Sequence, residues 1–229
     1  MTNIPRQLLE SIDLFHDLNE EELSEVQRLF REKTFKKGTT LFHEGDYGEE
    51  LFIIEKGSVK IFREDFTRET ILTILKDGDY FGEMGILQYN EQRSANAEAL
   101  QPCTAYTIHR SDFTKLLEKN PQISIKLLYV SMKRLRKANE MIRSLTSLDA
   151  RTRILKTLID LSEDYGVVIE GKILIDLKLT HQQIADMSGV VRETVSKVLV
   201  ELQQSNTISI ESKKISIKKL THLEEQVGV

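Results

Sequence analysis

Apolar side chains along this chain change their spacing more than once, and each change predicts a different kind of element. From Asn3 to Arg31, Leu8, Leu9, Ile12, Phe15, Leu18, Leu23, Val26, Leu29 and Phe30 recur at helical steps, which predicts helix. Asn19 followed by Glu22 makes a capping pair for a second helix there, and Glu20, Glu21 and Glu22 suit the positive end of its dipole. From Glu32 to His109 the period falls to two. Short apolar runs at Thr39 to Phe42, Leu51 to Ile54, Val59 to Phe62, Thr70 to Leu75 and Thr104 to Ile108 are separated by Gly38, Gly45-Asp46, Lys56-Gly57-Ser58 and Asp77-Gly78-Asp79. Strands this short, punctuated this regularly by turn residues, predict an antiparallel barrel or roll. A small closed sheet leaves a mouth where a small ligand can sit.

The helical period then returns. Asp112 to Glu118 predicts a short helix, and Asn120-Pro121 opens a long one. Along it Leu128, Ser131, Leu135, Ala138, Ile142 and Leu145 step three and four apart, while Lys133, Arg134, Arg136, Lys137 and Arg143 lie off that line. The pattern fits the seam of a two-stranded parallel coiled coil; the other reading is a helix packed on its own domain. Ser131 and Ala138 leave space near a partner helix for a ligand or a hinge. Leu148-Asp149 ends the long helix, and Asp149 can cap a helix from Ala150 to Glu163. Val167 to Leu177 predicts a hairpin around Glu170-Gly171-Lys172.

Thr180 to Leu199, THQQIADMSGVVRETVSKVL, reads as helix, tight turn, helix. Thr180 with Gln183 is a capping box. Ile184, Ala185 and Ser188 share a face, and Gly189 stands where the chain must turn sharply. The second helix buries Val195, Val198 and Leu199 and turns out Arg192, Glu193, Ser196 and Lys197. That is a helix-turn-helix, whose second helix can enter the major groove of duplex DNA, or else an ordinary helical hairpin. In a groove Arg192 can offer a fork to guanine and Glu193 can accept from the cytosine amino group. Thr180, His181 and Gln182, at the start of the first helix, complete the DNA-facing set. Thr207 to Lys218 alternates Ile208, Ile210, Ile215 and Ile217 about Glu211-Ser212-Lys213-Lys214. This predicts a wing beside the recognition helix, with Lys213 and Lys214 placed to meet phosphates. Leu220 to Val229 is a short acidic tail to which the pattern assigns no role.

Composition narrows the function classes. The chain has 229 residues, 40% of them apolar, enough for two domains with real cores. The net charge of −4 argues against a DNA binder until it is divided. Residues 1–125 carry −8, residues 126–149 carry +4 and residues 150–229 are neutral. The acidity therefore sits away from the helix-turn-helix, where a local positive face acts over about 8 Å at physiological salt. A single cysteine, Cys103, excludes a disulfide framework and a cysteine-built zinc or iron–sulfur site. His16, His43, His109, His181 and His222 show no pairing for zinc or haem, and there is no Walker loop and no paired carboxylates. No enzyme and no metal centre is expected. No apolar run reaches membrane-spanning length, and MTNIPRQLLE lacks a signal-peptide core, so a cytoplasmic protein without membrane contact is expected.

One stretch, Asp79 to Leu100, breaks the strand pattern. Gly82-Glu83-Met84-Gly85 can start one short helical turn, and Arg93, Ser94 and Ala95 follow. A fixed carboxylate, backbone N–H groups and an arginine together suit a phosphorylated sugar, with Glu83 on ribose hydroxyls and Arg93 on phosphate. The same two residues could instead pair with each other at the edge of the roll.

Leu51 to Val59 (LFIIEKGSV), Phe81 to Leu87 (FGEMGIL), Gln92 to Ala95 (QRSA) and Arg192 to Val195 (RETV) resemble the bacterial family of the cyclic AMP receptor protein and the fumarate and nitrate reduction regulator. The resemblance covers nearly the whole chain. It implies an α+β protein: an antiparallel β-roll of the cyclic-nucleotide-binding type over residues 1–120, a dimerisation helix over 121–148 and a winged helix-turn-helix over 149–229. It implies a homodimeric transcription factor that reads a palindrome in double-stranded DNA, one half-site per subunit, and an activator's contact with RNA polymerase. Residue by residue, Gly82 and Glu83 match the positions that hold a cyclic nucleotide's ribose, and Arg93 and Ser94 those that hold its phosphate. Arg192, Glu193 and Lys197 match the base-reading positions. The adenine-contacting pair of the receptor protein falls on Ala138 and Asn139, Val191 stands where serine is common, and Lys197 replaces an arginine. The effector expected is cyclic AMP or another small molecule; the other reading is a regulator of the same family that does without cyclic AMP.

Overall fold

Two short helices open the described chain, which in this computed structural model comprises residues 3–65, 68–87 and 92–227. They are α1 (Arg6–Ser11) and α2 (Glu20–Leu29). Asn19 accepts from the backbone N–H groups of Glu21 and Glu22 at 3.0 Å each, and the Glu22 carboxylate accepts from Asn19 N–H at 2.8 Å. This reciprocal box fixes where α2 begins. Residues 12–18 are turns rather than helix, although Phe15 and Leu18 among them are buried.

The chain then passes into β1 (Arg31–Phe35), β2 (Thr40–Phe42), β3 (Glu50–Lys56), β4 (Val59–Asp65), β5 (Arg68–Leu75) and β6 (Tyr80–Phe81). After the single helical turn α3 (Met84–Leu87) come β7 (Asn96–Ala99) and β8 (Cys103–His109). Two antiparallel four-stranded sheets result, ordered β1-β8-β3-β6 and β2-β7-β4-β5. The LFII run of β3 explains how they pack. Phe52 and Ile54 face Val59, Leu75, Ala97 and Ala99 of the other sheet, while Leu51 and Ile53 face a second core with α1 and α2. A strand buried on both faces reads as a continuous apolar run because neither face needs polar residues. Cys103 lies in the inter-sheet core, where burial pushes its thiol up to about 11. It is a packing residue that stays protonated, unlike a low-pKa redox thiol.

Two helices follow, α4 (Arg110–Lys119) and the long α5 (Pro121–Ser147). The chain divides into two compact units, Met1–Arg136 and Lys137–Val229. α5 presents an outward apolar face. Ile125, Leu128, Met132, Leu135, Ile142 and Leu145 of this helix stand 46–61% exposed. Ser131 and Ala138 are exposed on the same face, and Ser131 donates to its own helix at Leu127 O.

The second unit contains α6 (Ala150–Tyr165), β9 (Gly166–Ile169), β10 (Lys172–Ile175), α7 (His181–Ser188), α8 (Arg192–Gln204), β11 (Ile208–Glu211), β12 (Lys214–Ile217) and α9 (Leu220–Val227). Asp149 caps α6 by accepting from Thr152 N–H at 2.9 Å. The strands form one antiparallel sheet, ordered β11-β12-β10-β9. The tail acquires a role: α9 packs on α6 with Leu223 fully buried, and Arg151 bridges Gln226 and Glu201 at 2.7 and 2.9 Å. Its last two residues lie outside the described residues.

Leu145 also touches the turn of the helix pair. Gly189, the left-handed cap of α7 at φ +67°, leaves room for it: a Cβ there would lie 2.6 Å from Leu145 Cδ2. The end of α5 thus rests on the turn of the helix pair. Gly189→Ala should therefore lower stability by about 1–2 kcal/mol from backbone handedness alone, with more if Leu145 cannot move. A urea melt checks this, and an unshifted midpoint would contradict it.

Candidate effector site and nucleic-acid interface

The roll's candidate site is assembled by close backbone contacts. Gly82, at φ +86°, lets Arg93 approach so nearly that a Cβ would lie 2.7 Å from Nη1. Gly48 and Gly85 meet backbone to backbone, and a Cβ on Gly48 would lie 2.7 Å from Gly85 O. Arg93, only 6% exposed, donates from Nη1 to Gly82 O and from Nη2 to Glu50 O, both at 2.8 Å. Its guanidinium lies 4.2 Å from the centre of the Phe42 ring. Burial pulls its pKa below the ordinary arginine value, against the opposing influence of Glu50 and Glu83. Its Nε is buried without a hydrogen-bond partner.

Glu83 does not pair with Arg93, which corrects that possibility. Its Oε1 accepts from Arg134 Nη1 of α5 at 2.5 Å, while its buried Oε2 has no partner. Arg134 also donates to Tyr80 O at 2.7 Å and lies 5.3 Å from the Tyr80 ring centre. Sequence reasoning missed Arg134 as a site residue and read it as a solvated off-seam charge. It lies 51 residues from Glu83, and no local signal ties the two. Ser94 is exposed, with Oγ 4.0 Å from Met84 Sδ. The structure thus gathers Gly82, Glu83, Arg93 and Ser94 within the first unit. Ala138 and Asn139 are exposed on the part of α5 that belongs to the second. Gln88 to Glu91, within the stretch singled out above, lie outside the described residues.

On the helix pair, Thr180 accepts from Gln183 N–H at 3.1 Å and Gln183 Oε1 accepts from Thr180 N–H at 2.9 Å, completing the capping box. Arg192, Glu193 and Lys197 are exposed on the outer face of α8. Its N-cap, Val191, makes no side-chain cap bond and is 60% exposed. Ser196 is less free than expected, because its hydroxyl bonds His181 Nδ1 at 2.8 Å and donates to Arg192 O at 3.1 Å. Gln182 donates to Asp186 at 2.8 Å. Lys214 departs further from expectation: its ammonium forms an ion pair with Asp176. Lys213 stays at the wing tip, where it and Ser212 take φ of +66° and +50°. Those are the backbone signs of a type I′ turn, which matches the twist of a two-residue hairpin. A cleft of about 490 Å³ runs between wing and helix pair, rimmed by Thr180, His181, Gln182, Arg192 and Lys213.

Residues 32–120 match the family described as Cyclic nucleotide-binding domain, and residues 152–226 match the Crp-like helix-turn-helix domain. The chain is 31% identical over 194 residues, 84% of itself and 86% of the relative, to the CRP-like cAMP-activated global transcriptional regulator of Mycobacterium tuberculosis. It is 34% identical over 162 residues, 70% of itself and 77% of the relative, to the cAMP-activated global transcriptional regulator CRP of Pasteurella multocida.

The chain belongs to the CRP/FNR family of transcription regulators.

A CooA double mutant from Carboxydothermus hydrogenoformans is similar to this CRP/FNR protein over 93% of this chain and 95% of that one, at 26% identity and a TM-score of 0.78. As a CRP/FNR regulator the protein is DNA-binding and is not an enzyme. Among the described residues of this CRP/FNR chain no helix is long and apolar enough to cross a membrane.

Proposed function

We propose that this protein is a cytoplasmic homodimeric regulator that reads a palindromic duplex and is switched by a cyclic nucleotide held in the roll. Residues 1–120 form the effector domain, 121–148 the dimerisation helix and 149–229 the DNA-binding domain. One observation carries the effector reading: Glu83 Oε2 and Arg93 Nε are buried acceptor and donor without partners, in the region that matches a cyclic nucleotide-binding domain. Orphaned buried polar atoms are costly. A ribose hydroxyl and a phosphate oxygen would satisfy one each, with Ser94 adding a second phosphate contact and Arg134 bracing Glu83. Two relatives described as cAMP-activated support the same choice.

Calorimetric titration with cyclic AMP and cyclic GMP, followed by binding to a palindromic duplex, tests it. DNA affinity unchanged at saturating nucleotide removes the nucleotide switch. The second reading, a regulator of this family with no cyclic AMP, is favoured by Ala138, which offers no hydrogen bond where the resemblance places an adenine contact. An Arg93→Ala chain that still activates its promoter in a cell without cyclic nucleotides would establish it, and RNA polymerase is the partner such activation requires.

For DNA, Arg192 and Glu193 read base edges, with Lys197 beside them. Lys213, His181 and Thr180 hold phosphates around the cleft. Lys214 is left out of this set because Asp176 occupies it. Arg192→Ala should cost about 1–3 kcal/mol on the specific site and relax preference at one base pair. Equal losses on specific and scrambled duplexes would refute that role. Affinity should also fall steeply with salt.

A further inference from the structure

Two arginines span the same pair of backbone segments in the roll. Arg93 donates to Glu50 O and Gly82 O. Arg110, the first residue of α4, donates from a single nitrogen, Nη2, to Gly48 O and, at 2.7 Å, to Gly85 O. Its own backbone N–H donates to Glu49 O at 2.7 Å. One segment, residues 48–50, thus meets both guanidinium groups, and so does the other, residues 82–85. Each arginine takes one carbonyl from each segment, at opposite ends.

Arg110 is fixed by its own surroundings. β8 ends at His109, whose Nδ1 accepts from Ser111 N–H at 3.2 Å and so caps α4. Phe113 and Leu116 of α4 are buried in the core shared with α1 and α2. The segments it joins are packed as tightly. Gly48 and Gly85 are both buried. A Cβ on Gly48 would lie 2.7 Å from Gly85 O, and one on Gly85 would lie 3.3 Å from Arg93 Cδ and Nη1. The spacing of the two segments therefore sets where the Arg93 guanidinium lies, since each of its anchors belongs to one of them. Attraction between the arginines plays no part. Burial disfavours the charge on Arg93, and the positive charge of Arg110 disfavours it further. Backbone carbonyls hold both groups in place.

From this arrangement we infer that Arg110 is a positioning residue of the effector site. It pins residues 48–50 to residues 82–85, and so holds Arg93 and Glu83 at the spacing that a cyclic nucleotide's phosphate and ribose require. It acts through Arg93 and not on the ligand. The inference rests on the cyclic-nucleotide reading proposed above. Without Arg110 the two segments sample other spacings, and affinity falls in proportion to the share of molecules that keep the competent one.

The test uses the full-length chain, cyclic AMP and the two phosphorothioate diastereomers of cyclic AMP, which differ only in which exocyclic phosphate atom is sulfur. Calorimetry should show Arg110→Met, which keeps a long stem and loses every donor, binding cyclic AMP about tenfold or more weakly. Arg110→Lys, whose ammonium can still donate to both carbonyls, should recover most of that loss. Gly48→Ala, which forces the same segments apart and leaves both guanidinium groups intact, should weaken binding as Arg110→Met does. The ratio of affinities for the two diastereomers separates positioning from stability. A fixed Arg93 makes the unmodified protein prefer one of them, and that preference should shrink toward unity in Arg110→Met and Gly48→Ala. Thermal melts without nucleotide establish that each variant is folded; where Arg110→Met is not, Gly48→Ala carries the comparison. Undiminished cyclic AMP affinity in the variants, a loss with the diastereomer preference unchanged, or no preference in the unmodified protein overturns the inference and leaves the nucleotide reading standing. An unmodified chain that binds no cyclic nucleotide removes both.

Discussion

A Leu135→Lys chain is expected to be monomeric at micromolar concentration and to bind a two-half-site duplex about 10²–10⁴-fold more weakly than the unmodified protein. Leu135 is 61% exposed on α5, so lysine there costs the folded subunit little. In the seam it sets two ammonium groups against each other in apolar surroundings, where unpaired charge is costly. The loss at the DNA follows from geometry. With two joined subunits, the second recognition helix meets its half-site at high effective concentration; separate subunits each bind alone. Sedimentation velocity and an anisotropy titration on one duplex measure both effects. A variant that stays dimeric would move the interface elsewhere on the molecule.

The second large effect belongs to Arg93. Arg93→Leu is expected to weaken cyclic nucleotide binding about a hundredfold or more, because charge-assisted hydrogen bonds contribute roughly 1.5–3 kcal/mol each and a guanidinium can make two to one phosphate. The proposed site would suit that anion. Burial disfavours the charged arginine, and a phosphate restores the balance. The substitution also strips donors from Gly82 O and Glu50 O, so some loss of thermal stability accompanies it. Arg93→Lys separates the two effects, since it keeps the charge but not the planar fork and should bind at an intermediate level. Calorimetry with cyclic AMP decides the matter, and an Arg93→Leu protein with undiminished affinity would place the anion elsewhere.

Local signals were legible wherever the cause was local. Asn19 with Glu22 and Thr180 with Gln183 form the capping boxes their spacing suggests, because such a box is closed within one helical turn. Gly171 and Gly189 mark turns at positive φ for the same reason. Strands with bulky alternation were visible, whereas β1, β6 and β7 were not. REKTF in β1 is mostly exposed and NAEA in β7 buries only small side chains, Ala97 and Ala99, between the sheets. Neither leaves a periodic trace. On α5 the exposed face follows the heptad step the sequence shows.

Of the candidate sites, the residue types were in the sequence and the pairings were not. Glycine at 82, a carboxylate at 83 and arginine at 93 were enough to name the chemistry of a phosphorylated sugar. That Glu83 meets Arg134 while Arg93 turns to two carbonyls is decided by strands and a helix far apart in the chain. Likewise the helix pair and the wing could be read from period alone, yet the ion pair of Lys214 with Asp176, 38 residues away, could not.

By itself, then, the order of residues determined the elements, their caps and turns, and the two-part plan of roll and helix-turn-helix, since these depend on periodicity and on neighbours within a few positions. Tertiary structure alone decided which charged groups are satisfied inside the protein and which are left for a ligand or a duplex. Ion pairs and hydrogen bonds at this scale depend on distances of a few ångströms between segments, and no spacing along the chain encodes them.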